Sequence, residues 1–331
     1  MKRGYKIAVL GDGGWGTTLA IILQGKGYDV SLWGAFPEYT EFLKRKRENK
    51  KFLPGIKIPV SILLTHDIRE ATRDKSIIVL AVPSQHMREV ARRIGTGRTN
   101  ALYVSVAKGI ENHTLSRMSE VVREELGGVD CAVISGPTIS YEVARGIPTT
   151  AVVASKVRAA AREIQGIFTT ERFRLYTSGD VVGVELGGSL KNIIAIAAGM
   201  SDGLGFGTNS KAALLTRGIV EITRLGVALG AKKETFAGLS GLGDLVTTCI
   251  NPHGRNRWFG EQIGRGKRPA AVLKSTEMVI EGVPTAESAY RLARKAAIEM
   301  PITEQVYKIL YKNKPPGDAV RELMVRPMKA E

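Results

Sequence analysis

The sequence predicts an α/β N-terminal Rossmann domain followed by an all-α C-terminal domain. A short apolar run leads directly into a glycine-rich loop and a helix, and further continuous apolar runs follow in the first half. Strand signals then fade in the second half, where helical patterns are separated by glycine-rich links. We expect a dinucleotide-binding domain over residues 1–182 and a helical substrate-binding and catalytic domain over residues 183–331. A chain of 331 residues is long enough for both.

The clearest motif joins a strand at Tyr5–Leu10 to the loop Gly11-Asp12-Gly13-Gly14-Trp15-Gly16 and a helix beginning near Thr17. A GxGxxG loop between a strand and a helix is the dinucleotide-binding fingerprint. Gly11 permits the tight turn, Gly13 lets the backbone reach the pyrophosphate, and Gly16 lets the helix pack on the strand. The helix N-terminus then favours the anion.

The second strand, Asp29–Trp33, leaves the choice of coenzyme open. NAD-specific enzymes usually end this strand with an acid that binds the ribose hydroxyls. Gly34, Ala35 and Phe36 stand there instead, and none of them is an arginine suited to a 2′-phosphate. Asp12 places an acid in the fingerprint, where we expect it to point away from the phosphates.

Further apolar runs at 76–82 and 101–106 are typical of buried parallel strands, and strands are also expected at 131–134, 149–154 and 173–177. Lys108 follows one run at the edge where open α/β sheets bind ligands. It is either an anion contact or an ordinary surface lysine.

The stretch from Val184 to Gly199 predicts a buried helix rich in small and aliphatic residues. Lys191 is its one basic residue, and Gly187 and Gly188 lie one turn earlier. A lysine in such a helix either extends to solvent or has its pKa lowered toward neutrality, where it serves as a proton donor and acceptor.

Glycine-rich links in the second half carry two more candidates. Asp244 is expected in a turn, where it either approaches another group closely or caps the next helix. Arg255 and Asn256 follow Gly254 at an expected helix start, and an arginine fork with helix N–H groups suits phosphate. A solvated arginine cluster is the alternative.

The charge and the composition limit the kinds of ligand and the cellular location expected for the protein. The net charge of +16 fits nucleic acid, an anionic membrane or small anionic ligands. The basic run Lys44–Lys51 resembles a nucleic-acid patch, but a solvated helix end explains it more simply, and no aromatic residues alternate with it. We expect no transmembrane helix and, because no export signal is apparent, a cytoplasmic protein. Cys131 and Cys249 are expected to be free thiols, and no histidine pattern predicts a metal.

With these motifs in place, the chain resembles the bacterial type of NAD(P)-dependent glycerol-3-phosphate dehydrogenase over about residues 5–312. The matching motifs are GDGGWGTTLA at 11–20, NKKFLPG at 49–55, AKG at 107–109, SGPT at 135–138, GVELGGSLKNIIAIAAGMSDGLGFGTN at 183–209, TRG at 216–218, RLG at 224–226, GLSGLGDLVTTC at 238–249 and GRNRWFG at 254–260. The resemblance implies a helical C-terminal domain similar to that of 6-phosphogluconate dehydrogenase.

The resemblance also implies site residues. Lys191 matches the catalytic acid/base, with Lys108 and Asp244 beside it in the catalytic set. The residues that match substrate contacts are Lys108, Gly136, Thr138, Lys191, Asp244, Gly254, Arg255 and Asn256. Besides the fingerprint glycines Gly11, Gly13 and Gly16, the residues that match cofactor contacts are Gly14, Trp15, Lys108, Ser140, Arg255, Val279 and Glu281. Family members often have serine at Gly254 and alanine at Ser140.

The function implied is the interconversion of dihydroxyacetone phosphate and sn-glycerol 3-phosphate with NAD or NADP as cofactor, for phospholipid synthesis. The reaction is expected between the domains, with no metal, no nucleic acid, no stable membrane insertion and a possible homodimer. Lys108 would help to lower the pKa of Lys191 by repulsion. The alternatives are another two-domain hydroxyacid dehydrogenase of the same superfamily, or a non-catalytic nucleotide or nucleic-acid binder.

Overall fold

The computed structural model of the chain describes residues 4–95 and 101–328. They form two compact units. The first takes in the described residues up to Lys108 together with Arg117–Val184. The second takes in Gly109–Ser116 and the described residues from Glu185 onward. The short segment Gly109–Ser116 therefore joins the helical unit although it lies within the first half of the chain.

The first unit is built on one sheet, which has eight strands within the described residues. The strands are β1 (Lys6–Leu10), β2 (Asp29–Trp33), β3 (Leu63–Thr65), β4 (Ile77–Leu80), β5 (Leu102–Ser105), β6 (Cys131–Ser135), β7 (Thr149–Ala154) and β8 (Phe173–Ser178). Their order is β3-β2-β1-β4-β5-β6-β7-β8, and every pair is parallel except β6 with β7. The order reverses between β1 and β4, and such a reversal forms the ligand crevice of doubly wound sheets.

Helices cover both faces of this sheet. They are α1 (Gly14–Gly25), α2 (Pro37–Lys46), α3 (Ile68–Thr72), α4 (Met87–Ile94), α5 (Met118–Glu125), α6 (Ser140–Ala144) and α7 (Arg158–Phe168), with a 3-10 turn at Ser84–His86. Successive residues of β1 enter opposite cores, because Ile7 and Val9 pack on one face while Ala8 and Leu10 pack on the other. Burial on both faces explains why the strands have continuous apolar sequences.

The predicted strands are confirmed, with β2 and β7 at the predicted bounds. Strand β3 was not predicted, because three residues are too few for a recognisable pattern. The first three residues of the basic run form the last turn of α2. Within it, Lys44 forms an ion pair with Glu41 at 2.7 Å, and Arg45 and Lys46 are exposed. The simpler interpretation of a solvated helix end therefore fits the structure.

From Glu185 onward the described residues of the second unit form helices joined by turns, and none of the eight strands belongs to this unit. Its helices are α8 (Val181–Gly203, whose first four residues belong to the first unit), α9 (Thr208–Ala228), α10 (Asp244–Ile250), α11 (Arg255–Gly264), α12 (Pro269–Lys274), α13 (Gly282–Lys295), α14 (Pro301–Lys312) and α15 (Pro316–Met324). A 3-10 turn at Lys233–Ala237 and a π-helical turn at Leu239–Gly243 connect α9 to α10. The expected link at 201–209 is shorter than predicted, because α8 continues to Gly203 and α9 begins at Thr208.

Helix α8 is the core of this unit. Leu186, Leu190, Ile193, Ile194 and Ile196 have no exposed surface. By length and composition α8 could also cross a membrane, in contrast to the expectation that no segment would. However, 89% of its most apolar window is buried inside the protein. A helix that is apolar on all sides and surrounded by other helices is a core helix.

A buried carboxylate joins two other helices of the unit. Glu221 of α9 is 4% exposed and accepts hydrogen bonds from the backbone N–H groups of Ile302 (2.6 Å) and Thr303 (3.2 Å). These N–H groups belong to the first turn of α14, which has no acceptors within the helix itself. Burial raises the pKa of Glu221 from 4.5 to about 7, although these hydrogen bonds and the charge of Arg224 oppose the shift.

This arrangement predicts a pH-dependent contribution of Glu221 to stability. Because its folded-state pKa is raised, the contribution is fully present below pH 4.5 and is lost as the pH rises through about 7. Glu221→Gln should therefore become more stable relative to the wild type between pH 5 and pH 8, by about 2 kcal/mol. Thermal unfolding of both proteins across this range measures the difference. A difference that does not change with pH would contradict the prediction.

Candidate active site

The fingerprint loop has the backbone geometry expected of its glycines. Gly11 has a φ of +121°, and a Cβ atom there would lie 2.6 Å from the carbonyl oxygen of Ala81. A Cβ atom at Gly16 would lie 1.9 Å from the carbonyl oxygen of Gly11. At Gly13, in contrast, no atom lies within 4 Å of the Cβ position. The space at Gly13 and the N–H groups at the start of α1 therefore suit a pyrophosphate.

Three predicted cofactor contacts, Gly14, Trp15 and Ser140, lie at the starts of α1 and α6. A Cβ atom at Gly14 would lie 3.1 Å from the Ser140 hydroxyl oxygen and 2.7 Å from the carbonyl oxygen of Phe52. The Thr18 hydroxyl of α1 also donates to the carbonyl oxygen of Ser140 (3.1 Å). Trp15 packs edge-on against Phe173, with ring centroids 6.0 Å apart. The start of α6 is thus held against the start of α1.

Asn49 supports the fingerprint loop but was given no role from the sequence. Its side chain is fully buried, and its amide donates to the carbonyl oxygen of Asp12 (2.7 Å) and to the hydroxyl of Thr17 (2.8 Å). The amide oxygen accepts from the Tyr39 hydroxyl (2.6 Å). An asparagine at the start of the motif NKKFLPG was the available signal. Its side chain fixes the loop from a segment more than thirty residues away.

A second cluster forms where β5 and β6 end. The Lys108 ammonium donates to the carbonyl oxygen of Gly136 (2.9 Å) and lies 3.5 Å from the Thr138 hydroxyl. Gly136 has a φ of +147°, and a Cβ atom there would lie 3.0 Å from the Cα atom of Ala151. The structure therefore brings together three predicted substrate contacts. The cluster offers a half-buried cation and a hydroxyl at the ligand-binding edge of the sheet.

The helical unit holds a buried ion pair. Lys191 of α8 is 6% exposed and Asp244 is 1% exposed, and the lysine Nζ lies 2.5 Å from the carboxylate Oδ1. The Thr248 hydroxyl accepts a second hydrogen bond from Nζ (2.5 Å) and donates to the carbonyl oxygen of Asp244 (2.7 Å). Lys191 therefore does not extend to solvent. A carboxylate at this distance favours the ammonium form, which is the form that donates a proton.

The position of Asp244 differs from the expectation. It was predicted in a turn, but it is the first residue of α10, directly after the π-helical turn Leu239–Gly243. It does not cap that helix through its side chain, because the carboxylate faces Lys191. Thr248, which was not predicted as a site residue, lies one helical turn after Asp244 on the same face.

Glycine contacts explain how Asp244 reaches Lys191. A Cβ atom at Gly187, one turn before Lys191, would lie 2.6 Å from the carbonyl oxygen of Ser240. A Cβ atom at Gly241 would lie 2.2 Å from the carbonyl oxygen of Phe236. The π-helical turn can therefore approach α8 at backbone distance only because both positions are glycine.

Helix α8 also supports the predicted phosphate contacts on α11. The Asn256 amide donates to the side-chain oxygen of Asn192 (2.9 Å), the neighbour of Lys191, and accepts from the N–H group of Gly282 (2.9 Å). Asn256 is 8% exposed, whereas Arg255 is exposed at the first position of α11. The structure thus shows Asn256 fixing the start of α11. A contact from Asn256 to substrate stays a prediction.

Two predicted cofactor contacts lie on the segment before α13. The carboxylate of Glu281 acts electrostatically on the Arg255 guanidinium, and Val279 is 42% exposed. Gly282 connects this segment to α8, because a Cβ atom there would lie 2.7 Å from the carbonyl oxygen of Asn192. Arg255, Glu281 and Asn256 are therefore neighbours in the helical unit.

Among the residues with described positions, no group of three or more histidine, cysteine, aspartate or glutamate side chains could hold a metal ion. Cys131 and Cys249 are buried free thiols, as expected. Burial raises the pKa of the Cys249 thiol to about 12, which makes it a poor nucleophile.

A Rossmann unit with an intact dinucleotide fingerprint, followed by a helical unit with a buried lysine–aspartate pair, defines a nucleotide-dependent dehydrogenase. Comparison with known proteins identifies the family of dehydrogenases to which the chain belongs. The model of the NAD-dependent glycerol-3-phosphate dehydrogenase N-terminus matches residues 6–161, and the model of the C-terminus of the same family matches residues 180–321. The chain belongs to the NAD-dependent glycerol-3-phosphate dehydrogenase family.

Relatives cover nearly the whole chain. Glycerol-3-phosphate dehydrogenase [NAD(P)+] of Citrifermentans bemidjiense is 51% identical over 330 residues, which are 98% of each chain. The crystal structure of glycerol-3-phosphate dehydrogenase from Coxiella burnetii is similar with a TM-score of 0.94 and 39% identity, over 97% of this chain and 99% of that chain. The enzyme from Saccharomyces cerevisiae has a TM-score of 0.82 at 27% identity, over 96% and 99% of the two chains. The predicted family and fold class are therefore confirmed.

The close approach at Gly187 yields a prediction. In Gly187→Ala the new methyl group would collide with the Ser240 carbonyl, so the turn that leads to Asp244 must shift. We expect a loss of about 1–3 kcal/mol in unfolding free energy. If Asp244 orients the catalytic lysine, turnover should also fall at least tenfold, because a displaced catalytic group slows the reaction. Thermal unfolding and steady-state kinetics measure both.

Gly317→Ala is the matched control. Gly317 lies in α15 of the same unit, and no atom lies within 4 Å of its Cβ position. This variant should be at least as stable as the wild type, since alanine is the better helix former. Equal effects of the two substitutions would show that the Gly187 contact does not position Asp244.

Proposed function

We propose that this chain interconverts dihydroxyacetone phosphate and sn-glycerol 3-phosphate with NAD(P)H or NAD(P)+, supplying glycerol 3-phosphate for phospholipid synthesis. The observation that supports this most directly is the buried Lys191–Asp244 pair with Thr248 as a second partner. A relative 51% identical over almost the full length bears the name of this activity. Burying a lysine and an aspartate between two helices is costly, and the cost has a purpose if the pair moves a proton.

The residues of the first unit fit a dinucleotide. The open position at Gly13, the N–H groups at the start of α1 and the left-handed turn at Gly11 would hold the pyrophosphate. Gly14, Trp15 and Ser140 would line the next part of the cofactor, and Arg255, Val279 and Glu281 are proposed as its contacts in the helical unit. When bound, the reduced nicotinamide supplies the hydride that the ketone carbon receives.

Lys191 is proposed as the proton donor. Reduction of a ketone places negative charge on the carbonyl oxygen, and an ammonium beside that oxygen stabilises the charge and then transfers a proton to give the alcohol. Asp244 and Thr248 fix the direction of the ammonium through two hydrogen bonds. In the reverse direction the neutral amine accepts the proton of the alcohol.

The phosphate is proposed to bind at the start of α11. The N–H groups of the first turn of α11 combine with the Arg255 guanidinium, which can bind a phosphate through two parallel hydrogen bonds. The N–H group of Gly254 already donates to the carbonyl oxygen of Asn251 (3.0 Å). Lys108, Gly136 and Thr138 are proposed as further substrate contacts. Because substrate and cofactor are both polyanions, a positive surface also raises their local concentration, which gives part of the +16 charge a role.

The cellular location, the partners and the assembly of the enzyme are proposed from the sequence. We expect it in the cytoplasm, with no nucleic-acid partner and no stable membrane insertion. A homodimer is the expected assembly. Size-exclusion chromatography with light scattering would measure the assembly directly.

The role of Lys191 is tested by replacing it. Lys191→Ala removes the proton donor and should lower kcat by about 10²–10⁴-fold with cofactor affinity retained. Lys191→Arg keeps the positive charge but gives up its proton far less readily, so it should also be strongly impaired. The measurement is the consumption of reduced nicotinamide in the presence of dihydroxyacetone phosphate. Turnover near the wild-type value in Lys191→Ala would exclude the assignment.

Arg255 is tested separately from the chemical step. Arg255→Ala should raise the KM for dihydroxyacetone phosphate at least tenfold, since a charged hydrogen-bond pair to phosphate is lost. Arg268→Ala is the control, because Arg268 is also exposed and directly precedes helix α12. An unchanged KM in Arg255→Ala would place the phosphate elsewhere.

A further inference from the structure

The end of β2 lacks the side chain that usually selects the coenzyme. In NAD-specific Rossmann domains an acidic residue there binds the ribose hydroxyls, and an arginine accommodates the 2′-phosphate of NADP. In this chain Gly34 follows β2 directly, and Ala35 and Phe36 come next. Phe36 is 70% exposed. None of these three residues can form a charged contact with a ribose or a phosphate.

A carboxylate from the fingerprint loop occupies the place of the missing side chain. If Gly34 had a Cβ atom, it would lie 2.3 Å from Oδ2 of Asp12 and 2.8 Å from the Thr40 hydroxyl oxygen. The Asp12 side chain therefore fills the space where a residue at the end of β2 would begin. Asp12 itself lies between Gly11 and Gly13, so it is adjacent to the proposed pyrophosphate site as well.

The Asp12 carboxylate is incompletely satisfied by the protein. Its Oδ2 atom is buried without a hydrogen-bond partner among the described residues. Burial raises the pKa of Asp12 from 3.8 to about 6, while its own backbone N–H and the charge of Lys51 oppose the shift. The group is thus mainly ionised at neutral pH. Such a carboxylate gains from a hydroxyl donor and is destabilised by a second anion nearby.

We propose that Asp12 takes over the role of the acid at the end of β2 and makes this enzyme select NADH over NADPH. The 2′-hydroxyl of NADH can donate a hydrogen bond toward the carboxylate. The 2′-phosphate of NADPH offers no such donor and brings about two negative charges to the same place. The inference rests on the proposed function only in requiring that the first unit binds a nicotinamide dinucleotide.

One group opposes this selection. Lys51, at the end of the basic run, acts on Asp12 electrostatically and could also attract a 2′-phosphate. Its side chain lies over the Phe52 ring at 5.3 Å, and the residue is exposed. An exposed lysine is screened by salt, whereas a buried carboxylate is screened much less. Asp12 should therefore dominate at physiological ionic strength.

The test is equilibrium binding of NADH and NADPH to the full chain, measured by calorimetry without substrate. The proteins are the wild type, Asp12→Asn, Asp12→Ala and the control Asp29→Asn. Asp29 is an exposed carboxylate at the opposite end of β2, where it pairs with Lys75 at 3.4 Å. Asp12→Asn keeps the shape of the side chain and should fold, because it removes a buried charge.

The wild type and Asp29→Asn should bind NADH at least tenfold more tightly than NADPH. Both Asp12 variants should lower this ratio about tenfold or more, chiefly by tighter binding of NADPH. Equal affinities in the wild type, or an unchanged ratio in the Asp12 variants, would overturn the proposal while leaving the catalytic assignment intact. Failure of the wild type to bind either nucleotide would overturn it together with the proposed function.

Discussion

The close approach of backbone to backbone around α8 is the constraint on which the helical unit depends. Two pairs of glycines four residues apart make it possible: Gly199 and Gly203 on α8, and Gly260 and Gly264 on α11. A Cβ atom at any of them would lie 1.9–2.4 Å from a carbonyl oxygen of the other helix. With Gly187 facing Ser240, α8 is approached closely on two sides. Larger residues would separate these segments and with them the side chains that they carry.

That packing makes a buried ion pair possible. Removing two charges from water costs several kcal/mol per ion, and the cost is recovered only when the geometry is good and the remaining hydrogen bonds are made. Lys191 and Asp244 meet this condition because Thr248 supplies a further partner from the same short helix. Asn192 and Asn256 connect the next position of α8 to the start of α11. The proposed proton donor and the proposed phosphate site are thus fixed by one helix.

The loops at the ligand-binding edge of the first unit are held in place in a different way. There the glycines create left-handed turns and open space, while polar side chains from distant segments hold the loops. Asn49 binds the fingerprint loop, Ser140 lies against Gly14, and Lys108 binds the turn at Gly136. A chain with 37 glycines loses much conformational entropy on folding. Many of these glycines lie at ligand-binding edges and helix crossings. The entropic cost therefore falls at positions where a side chain would block a close contact.

The sequence by itself determined the architecture. Continuous apolar runs predicted the buried strands, and the loop at residues 11–16 predicted the turn geometry later seen at Gly11 and Gly16. An apolar helix containing one lysine indicated a functional group at Lys191. The strands and the loop geometry were predictable because each depends on local spacing, whereas the role of Lys191 stays a proposal. Short β3 and the exact start of α10 were not predictable, since three residues carry no period and a π-helical turn has no simple sequence pattern.

Only the tertiary structure decided which side chains meet. Thr248 is an ordinary threonine in the sequence and becomes a partner of Lys191 only because Gly187 lets the preceding turn approach α8. Asn49 reaches the fingerprint loop from a distant segment, and Asp12 fills the space beside Gly34. Such contacts join positions tens of residues apart. Periodicity and motif spacing describe residues that are close along the chain, so they cannot predict these distant contacts. The packing of the helices and the order of the strands in the sheet determine which distant residues meet.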